Sequence, residues 1–333
     1  MKVGMKRISE LSGYSIATVS NVLNNKKGIH QATREKILEI AREVGYIADA
    51  KVSSIKLVVC KKHGQIVADT PFFSALIEGI EQECRARGFQ MEICNLNWNE
   101  PDYQELVLQI CSDPSTAILL LATELYDEDM EAFSECAAPI LVLDSWYPRK
   151  SFSSVTINNR DSVELAVEYL IQKGHQKIGY IRSSIPIWNF NERRQGMQNA
   201  LSCYGLSCFE EVTLTPTMDG AYRDMKVYLE NVPKEMPSAF FADNDILALG
   251  AIKALIEKGF RIPEDISIIG FDDLPFCEIS TPPLTTIKVD KQQMGKMAVK
   301  MLDEQILKGE YSPAFHLSMC TEFMERKSVC IKK

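Results

Sequence analysis

At 333 residues and 46% hydrophobic, the chain is long enough for two or three domains, each with a core of its own. No run approaches the about 20 apolar residues that cross a bilayer, and Met1 to Glu10 carries Lys2, Lys6 and Arg7 without an apolar stretch. These features argue against secretion and membrane insertion, and a cytoplasmic location is expected. The net charge of -8 argues against a nucleic-acid partner until it is resolved along the chain: residues 1 to 51 are +4 and the remainder is -12. A basic head on an acidic body lets the head approach DNA while the body is repelled. The ten cysteines are scattered through apolar runs with no C-x-x-C pair, which fits reduced core residues rather than disulfides or metal ligands.

From Met5 to Tyr46 apolar residues recur at helical spacing in three runs: Ile8 and Leu11; Val19, Val22 and Leu23; Ile37, Ile40, Ala41 and Val44. Three helices fit this segment. Gly13 separates the first two, Ser15 is an N-cap candidate, the third begins near His30 and Thr33, and Gly45 is a C-cap candidate, the layout of a helix-turn-helix. Beyond Ile55, short β-rich runs alternate with amphipathic helices. The strands are expected at Ile55 to Cys60, Gln90 to Cys94, Ala117 to Leu121, Ile140 to Asp144, Ile178 to Ile181, Ala239 to Ala242 and Ser267 to Phe271. A break near Asn158 divides them into two halves. The fold class is therefore an all-α helix-turn-helix head followed by an α/β body of two doubly wound parallel-sheet lobes facing each other across a cleft.

If the second helix starts at Ser15, its first turn presents Ser15, Ile16, Ala17 and Thr18, with Ser20 and Asn21 one turn on and Val19, Val22 and Leu23 turned inward. Small side chains at a helix start can enter a major groove, where Thr and Ala meet thymine methyls and Asn can pair with adenine. The free N–H groups there also suit phosphate. A plain three-helix bundle with a polar face fits these residues equally well.

The stretch from Lys6 to Asn24, with Ser15-Ile-Ala-Thr-Val-Ser-Asn-Val-Leu-Asn24 at its centre, resembles the head of the lactose/galactose repressor (LacI/GalR) family of transcriptional regulators. Thr33-Arg-Glu-Lys-Ile37 and Gly45-Tyr-Ile47 match the family's third helix and exit. The resemblance continues through Thr70-Pro-Phe-Phe73, Gly174-His-Gln-Lys-Ile178, Ala242-Asp-Asn-Asp245, Ile268-Ile-Gly-Phe-Asp-Asp273 and Thr281-Pro-Pro-Leu-Thr-Thr286, and so covers nearly the whole chain. It implies a periplasmic-binding-protein-like body and a homodimer that reads operator DNA under the control of a small-molecule effector. It implies, further, that Ile16 and Ala17 set base specificity, that Thr18, Ser20 and Asn24 face phosphate, and that Lys6, Ser15 and Asn21 share the DNA surface. Asn21 stands where the family often has Arg, so a guanine contact is expected to be lost or replaced by adenine readout. The expected domains are a head at 1–48, a shortened hinge at 49–54 and an effector domain at 55–333. Its N-lobe is expected at about 55–157 and 288–313, and its C-lobe at about 158–285 and 314–333.

In the body, the resemblance places Asp144, Arg193, Asn244 and Asp272 at the effector cleft, at the C-terminal ends of strands. An Arg fork and carboxylates can grip neighbouring ring hydroxyls, so a sugar is the expected effector. Phe73, Trp146 and Trp188 are candidates to stack on a sugar or base face, with ordinary packing as the alternative; for Asp272 the alternative is a cap on its loop. One departure concerns the join. Where the family follows Tyr-Ile-Pro-Asn with an Ala-Arg-x-Leu hinge helix in the minor groove, Tyr46-Ile-Ala-Asp49 runs through Ala50 to Ser54 into the first strand, about ten residues short. Weaker minor-groove insertion is expected, and a solute-sensing module with weak or lost DNA binding is the competing reading. No P-loop, G-x-S-x-G, H-E-x-x-H or G-x-G-x-x-G is present, so neither an enzyme nor a cofactor or metal is expected. The helix from Met294 to Leu307 is followed by no heptad run, so nothing points beyond a dimer.

Overall fold

The computed structural model describes residues 5–23, 29–44, 52–67, 71–113, 115–231, 235–308 and 313–332. It divides into two compact units, Met1–Ser53 and Ser54–Lys333. Expectations for Asn24, Gly45, Asp49 and most of the hinge lie outside the described residues.

The first unit holds α1 (Met5–Ser12), α2 (Ile16–Leu23) and α3 (Gln31–Glu43). Gly13, at φ 76°, ends α1 in the left-handed region that a side chain would disfavour. Ser15 opens α2 as its N-cap, its Oγ accepting the N–H of Thr18 at 3.1 Å. Ile8, Val19, Val22, Ile37 and Ala41 form the core, with Leu23, Ile40 and Val44 packed against it. Leu11 departs from the apolar pattern and is 45% exposed.

The second unit opens with β1 (Ser54–Lys61), so Ser54 belongs to a strand rather than to the hinge. It pairs with both Gln90 and Thr116. The chain continues through α4 (Pro71–Arg87), β2 (Gln90–Asn97), α5 (Tyr103–Cys111), β3 (Thr116–Leu121), β4 (Ile140–Leu143) and β5 (Ser153–Ile157). It then crosses to a second lobe at α6 (Asn159–Gln172), followed by β6 (Ile178–Ser183), α7 (Trp188–Cys203), β7 (Glu211–Leu214), α8 (Met218–Glu230), β8 (Ala239–Ala242), α9 (Asp245–Glu257), β9 (Ser267–Ile269), α10 (Phe276–Ile279) and β10 (Thr286–Lys288). Last come α11 (Lys291–Lys308), β11 (His316–Met319) and β12 (Glu322–Met324).

Two parallel sheets result, β11-β5-β4-β3-β1-β2 in the first lobe and β7-β6-β8-β9 in the second. In the first lobe β3 and β4 are buried along their whole length, which is why they read as continuous apolar runs. The short strands β5 and β7 escaped the sequence pattern because SSVTI and EVTL are short and mixed in polarity. β11 corrects the expected lobe boundary. His316–Met319 pairs with Ser154–Ile157, so the chain stays in the first lobe past 313 and returns only with β12, which pairs antiparallel with β10. The helix α11 crosses α4 at close range: a Cβ on Gly79 would lie 2.1 Å from the Gln292 carbonyl oxygen, and one on Gly295 2.4 Å from that of Leu76. Among the described residues no helix is long and apolar enough to cross a membrane.

Candidate functional site

The strands of both lobes end at a common cleft, as open α/β sheets direct. A cavity of about 250 Å³ there is walled by Phe72 and Phe73 from the start of α4, by Thr123 and Asp144 beyond β3 and β4, and by residues of the second lobe. Asp144 and Asp272 turn the chain after β4 and β9 at φ 64° and 108°, and Asp273 follows at 52°. These are the non-glycine residues of positive φ among those described, and non-glycine residues in this region cluster at binding sites.

Arg193, on α7, is 3% exposed and holds the second-lobe wall together. Its Nε donates to Asn159 Oδ1 at 2.8 Å, one terminal nitrogen donates to the Asp243 carbonyl, and the other reaches Asp272 Oδ1 at 3.4 Å. The guanidinium carbon lies 3.6 Å from the centre of the Phe271 ring, which fixes the fork's plane. From Arg193 a polar relay runs to the first lobe. Asn159 Nδ2 donates to Asn189 Oδ1 at 2.7 Å, and Asn189 Nδ2 donates to both the carbonyl and Oδ1 of Asp144, at 3.0 and 3.1 Å. Thr123 completes Asp144 with a 2.7 Å hydrogen bond to Oδ2.

Burial pushes the Asp144 carboxyl up to about 6 against the pull of Thr123, Arg193 and Asn189. It raises Asp272 too, opposed by Arg193 and Lys291. Behind the wall, burial lifts Asp243 to about 6; burial and then the nearby Asp272 charge lift Asp245 to about 7. Asp245 serves the scaffold, accepting the Thr286 hydroxyl at 2.6 Å and the Leu274 N–H at 2.8 Å. The cleft thus offers one well-anchored guanidinium, two carboxylates and an apolar face.

Of the residues expected at this site, Phe73, Asp144, Arg193, Asn244 and Asp272 line the cavity. Asn244 also caps α9, its Oδ1 accepting the Leu247 N–H at 3.0 Å. The two tryptophans are not among the lining residues. Trp146 stacks on His316 at 4.4 Å between ring centroids, and Trp188 begins α7, half-buried, one residue before Asn189. Asn189 and Phe190 also line the cavity, four and three positions before Arg193 on one helix face, a spacing that could have found them. Gln65 and Ile66 line it too, and Asn159 holds the Arg193 Nε, but no motif marks them in the sequence.

In the head, Lys6, Ser15, Ile16 and Ala17 are exposed, with Ile16 at 48%, while Thr18, Ser20 and Asn21 are half-buried. Thr18 Oγ1 lies 2.8 Å from Ser15 Oγ, so the two hydroxyls share one hydrogen bond at the cap.

Residues 4–49 match the model of the lacI family of bacterial regulatory proteins, and residues 167–329 that of a periplasmic binding protein-like domain. The transcriptional repressor PurR of Haemophilus influenzae (strain PittEE) is 30% identical over 336 residues, covering 98% of each chain. The chain belongs to the lacI family. PurR of Vibrio atlanticus (strain LGP32) is 31% identical over 330 residues, again with 98% of each chain. Among solved structures, the transcriptional regulator CelR in complex with cellobiose superposes with a TM-score of 0.73 at 26% identity, covering 98% of this chain and 99% of that one. A lacI-family regulator from Enterococcus faecium with bound ribose gives 0.71 at 26%, covering 84% and 100%. This lacI-family chain is accordingly a DNA-binding transcription repressor with an effector-binding domain, and not an enzyme.

Proposed function

We propose that the chain is a homodimeric repressor whose operator binding is set by a sugar held between the two lobes. The observation that carries the reading is the Arg193 fork, buried and already oriented, facing the cavity beside Asp272 and Asp144. Neighbouring ring hydroxyls can accept from the remaining guanidinium N–H groups and donate to the carboxylates, while Phe73 covers an apolar sugar face. The cavity of about 250 Å³ falls just below the range of about 300 to 1,000 Å³ common for ligand pockets, which favours a small saccharide. The sugars in the CelR and Enterococcus faecium structures support the same class. Phe73, Asp144, Arg193, Asn244 and Asp272 are the effector contacts in this reading.

Two heads of a dimer would read half-sites about one helical turn apart, with Ile16, Ala17 and Asn21 on base edges and Lys6, Ser15, Thr18, Ser20 and Asn24 on the backbone. The short join after Tyr46 removes the minor-groove wedge, so the operator is bent less than a hinge helix would bend it. A thermal-shift screen of sugars, with Arg193→Ser as control, tests the effector: a ligand at a hundredfold over its dissociation constant adds about 2.7 kcal/mol. A specific shift that survives in Arg193→Ser would remove this residue from the site. The same short join favours a second reading, a sensor whose head has lost DNA; negligible binding of genomic fragments at low salt would select it.

A further inference from the structure

Residues 62–67, which follow β1, are anchored by a side chain with no part in the reading above. Glu124, just beyond β3, is fully buried, and its carboxylate collects five backbone N–H groups from this one loop. Oε2 accepts those of Lys62, His63 and Gly64 at 2.8, 2.7 and 2.8 Å, and Oε1 those of Ile66 and Val67 at 2.9 and 2.8 Å. Burial acts to raise the pKa of this group, but the N–H groups of Val67, Gly64, His63 and Ile66 together outweigh it and the net shift is downward. The loop therefore wraps an anion as backbone nests do, with the anion supplied by the protein itself.

Lys62, at the head of the loop, does not neutralise Glu124. Its ammonium pairs with Asp129 at 2.7 Å and lies 4.8 and 4.3 Å from the ring centres of Trp98 and Tyr126. Tyr126 in turn donates to the Pro186 carbonyl of the second lobe at 3.1 Å. Between the two groups of anchored amides stands Gln65, exposed, which with Ile66 forms part of the cleft wall. A short loop with unmet N–H groups would sample many backbone states in water. Held by Glu124, it fixes the backbone from which the Gln65 side chain reaches the cleft wall.

We infer that Glu124 is a positioning residue for ligand recognition, fixing the 62–67 loop so that Gln65 becomes a specificity-determining contact at the cleft. The ligand chemistry in this inference rests on the sugar reading; the anchoring does not. A side-chain amide offers two donors and an acceptor and so distinguishes sugars by the hydroxyl they bring to the rim.

The test compares the unaltered chain, Glu124→Gln, Gln65→Ala and the double variant by calorimetric titration with D-ribose and with cellobiose, and by amide hydrogen exchange. Each single substitution is expected to weaken the bound sugar about tenfold and to change the ratio of the two affinities. The double variant is expected to lose no more than either, because Glu124 acts through Gln65. Exchange at 63–67 should accelerate in Glu124→Gln and stay slow in Gln65→Ala. Additive losses, or affinities unchanged in Glu124→Gln, would overturn the inference. If neither sugar binds the unaltered chain, the sugar reading fails on its own and the exchange data still decide the anchoring: equal protection in all four proteins overturns it. Should Glu124→Gln fail to fold, Glu124→Asp, which keeps the charge but shortens the reach, takes its place in the same comparison.

Discussion

Asn189→Ala removes the polar contact that crosses from α7 to Asp144, and its consequence can be worked out bond by bond. Three hydrogen bonds go: two from Asn189 Nδ2 to Asp144, and one that Asn159 donates to Asn189 Oδ1. A neutral hydrogen bond contributes about 1 kcal/mol net and one to a charged group about 1.5 to 3 kcal/mol, so the loss is about 3 kcal/mol or somewhat more. The two bonds to Asp144, about 2.5 to 4 kcal/mol of this, fall on the closed arrangement alone, since in an opened cleft water serves those groups separately; the Asn159–Asn189 bond lies within the second lobe and is lost from both arrangements. At 1.4 kcal/mol per tenfold, the closed-to-open ratio drops by about a hundredfold, and the apparent sugar affinity falls by at most that factor. Inside the second lobe only the Asn159–Asn189 bond is lost, about 1 kcal/mol, so the unfolding midpoint should move less than the affinity. Asn189→Asp should be worse than Asn189→Ala, because it sets a second carboxylate against Asp144. Calorimetry for affinity and small-angle scattering for lobe opening provide the readouts. An Asn189→Ala protein with unchanged affinity and unchanged scattering would refute the idea that this relay holds the lobes together.

Other consequences concern stability. Asp245 has a folded pKa of about 7 against about 3.9 in an unfolded chain, so its contribution is fully present below the unfolded value and is lost as pH rises through about 7. Between pH 5 and 7 the unaltered chain should therefore lose stability relative to Asp245→Asn, by at most about 1.4 kcal/mol per pH unit; parallel urea-unfolding curves at these pH values would contradict this. The His175 and His316 pKa values, both lowered by burial, affect the two proteins alike and cancel in the difference. Gly79→Ala drives a methyl into the backbone of α11 and should cost about 1 to 3 kcal/mol in thermal or urea unfolding, whereas Gly64→Ala, with open space around it, should lose only what its φ of 65° imposes. Ser15→Ala removes the cap of α2 and should cost the head about 1 kcal/mol, seen as weaker operator binding without change in sugar binding.

Much of this was legible in the sequence where a pattern is repeated or a motif is dense. The runs at Ile118 to Leu121 and Ile140 to Leu143 announce buried parallel strands because both faces are covered, and Ser15 to Leu23 announces its helix through cap and apolar spacing. Short strands such as β7 and β11 carry too few residues to show a period. The lobe to which β11 belongs depends on the pairing of His316 with Ser154, far back in the chain, which no local pattern encodes. In the cleft, Asp144, Arg193, Asn244 and Asp272 were reached through the family resemblance, with Arg193 on α7 rather than at a strand end, whereas the tryptophans did not behave as their chemistry suggested. An aromatic ring fits a sugar face or a histidine face equally well, and Trp146 found the latter. Glu124 was invisible for another reason: its partners are backbone amides, and those have no letter in the sequence.

The β5–α6, β10–α11 and β11–β12 connections each carry the chain from one lobe to the other, and the final residues stitch back across the second, with Lys332 donating to the Lys173 carbonyl. Neither lobe is a continuous stretch of sequence. No single cut releases one half with all its strands, so the two halves can be inherited, truncated or recombined only together, while the head at the other end of the chain remains free to be exchanged for another.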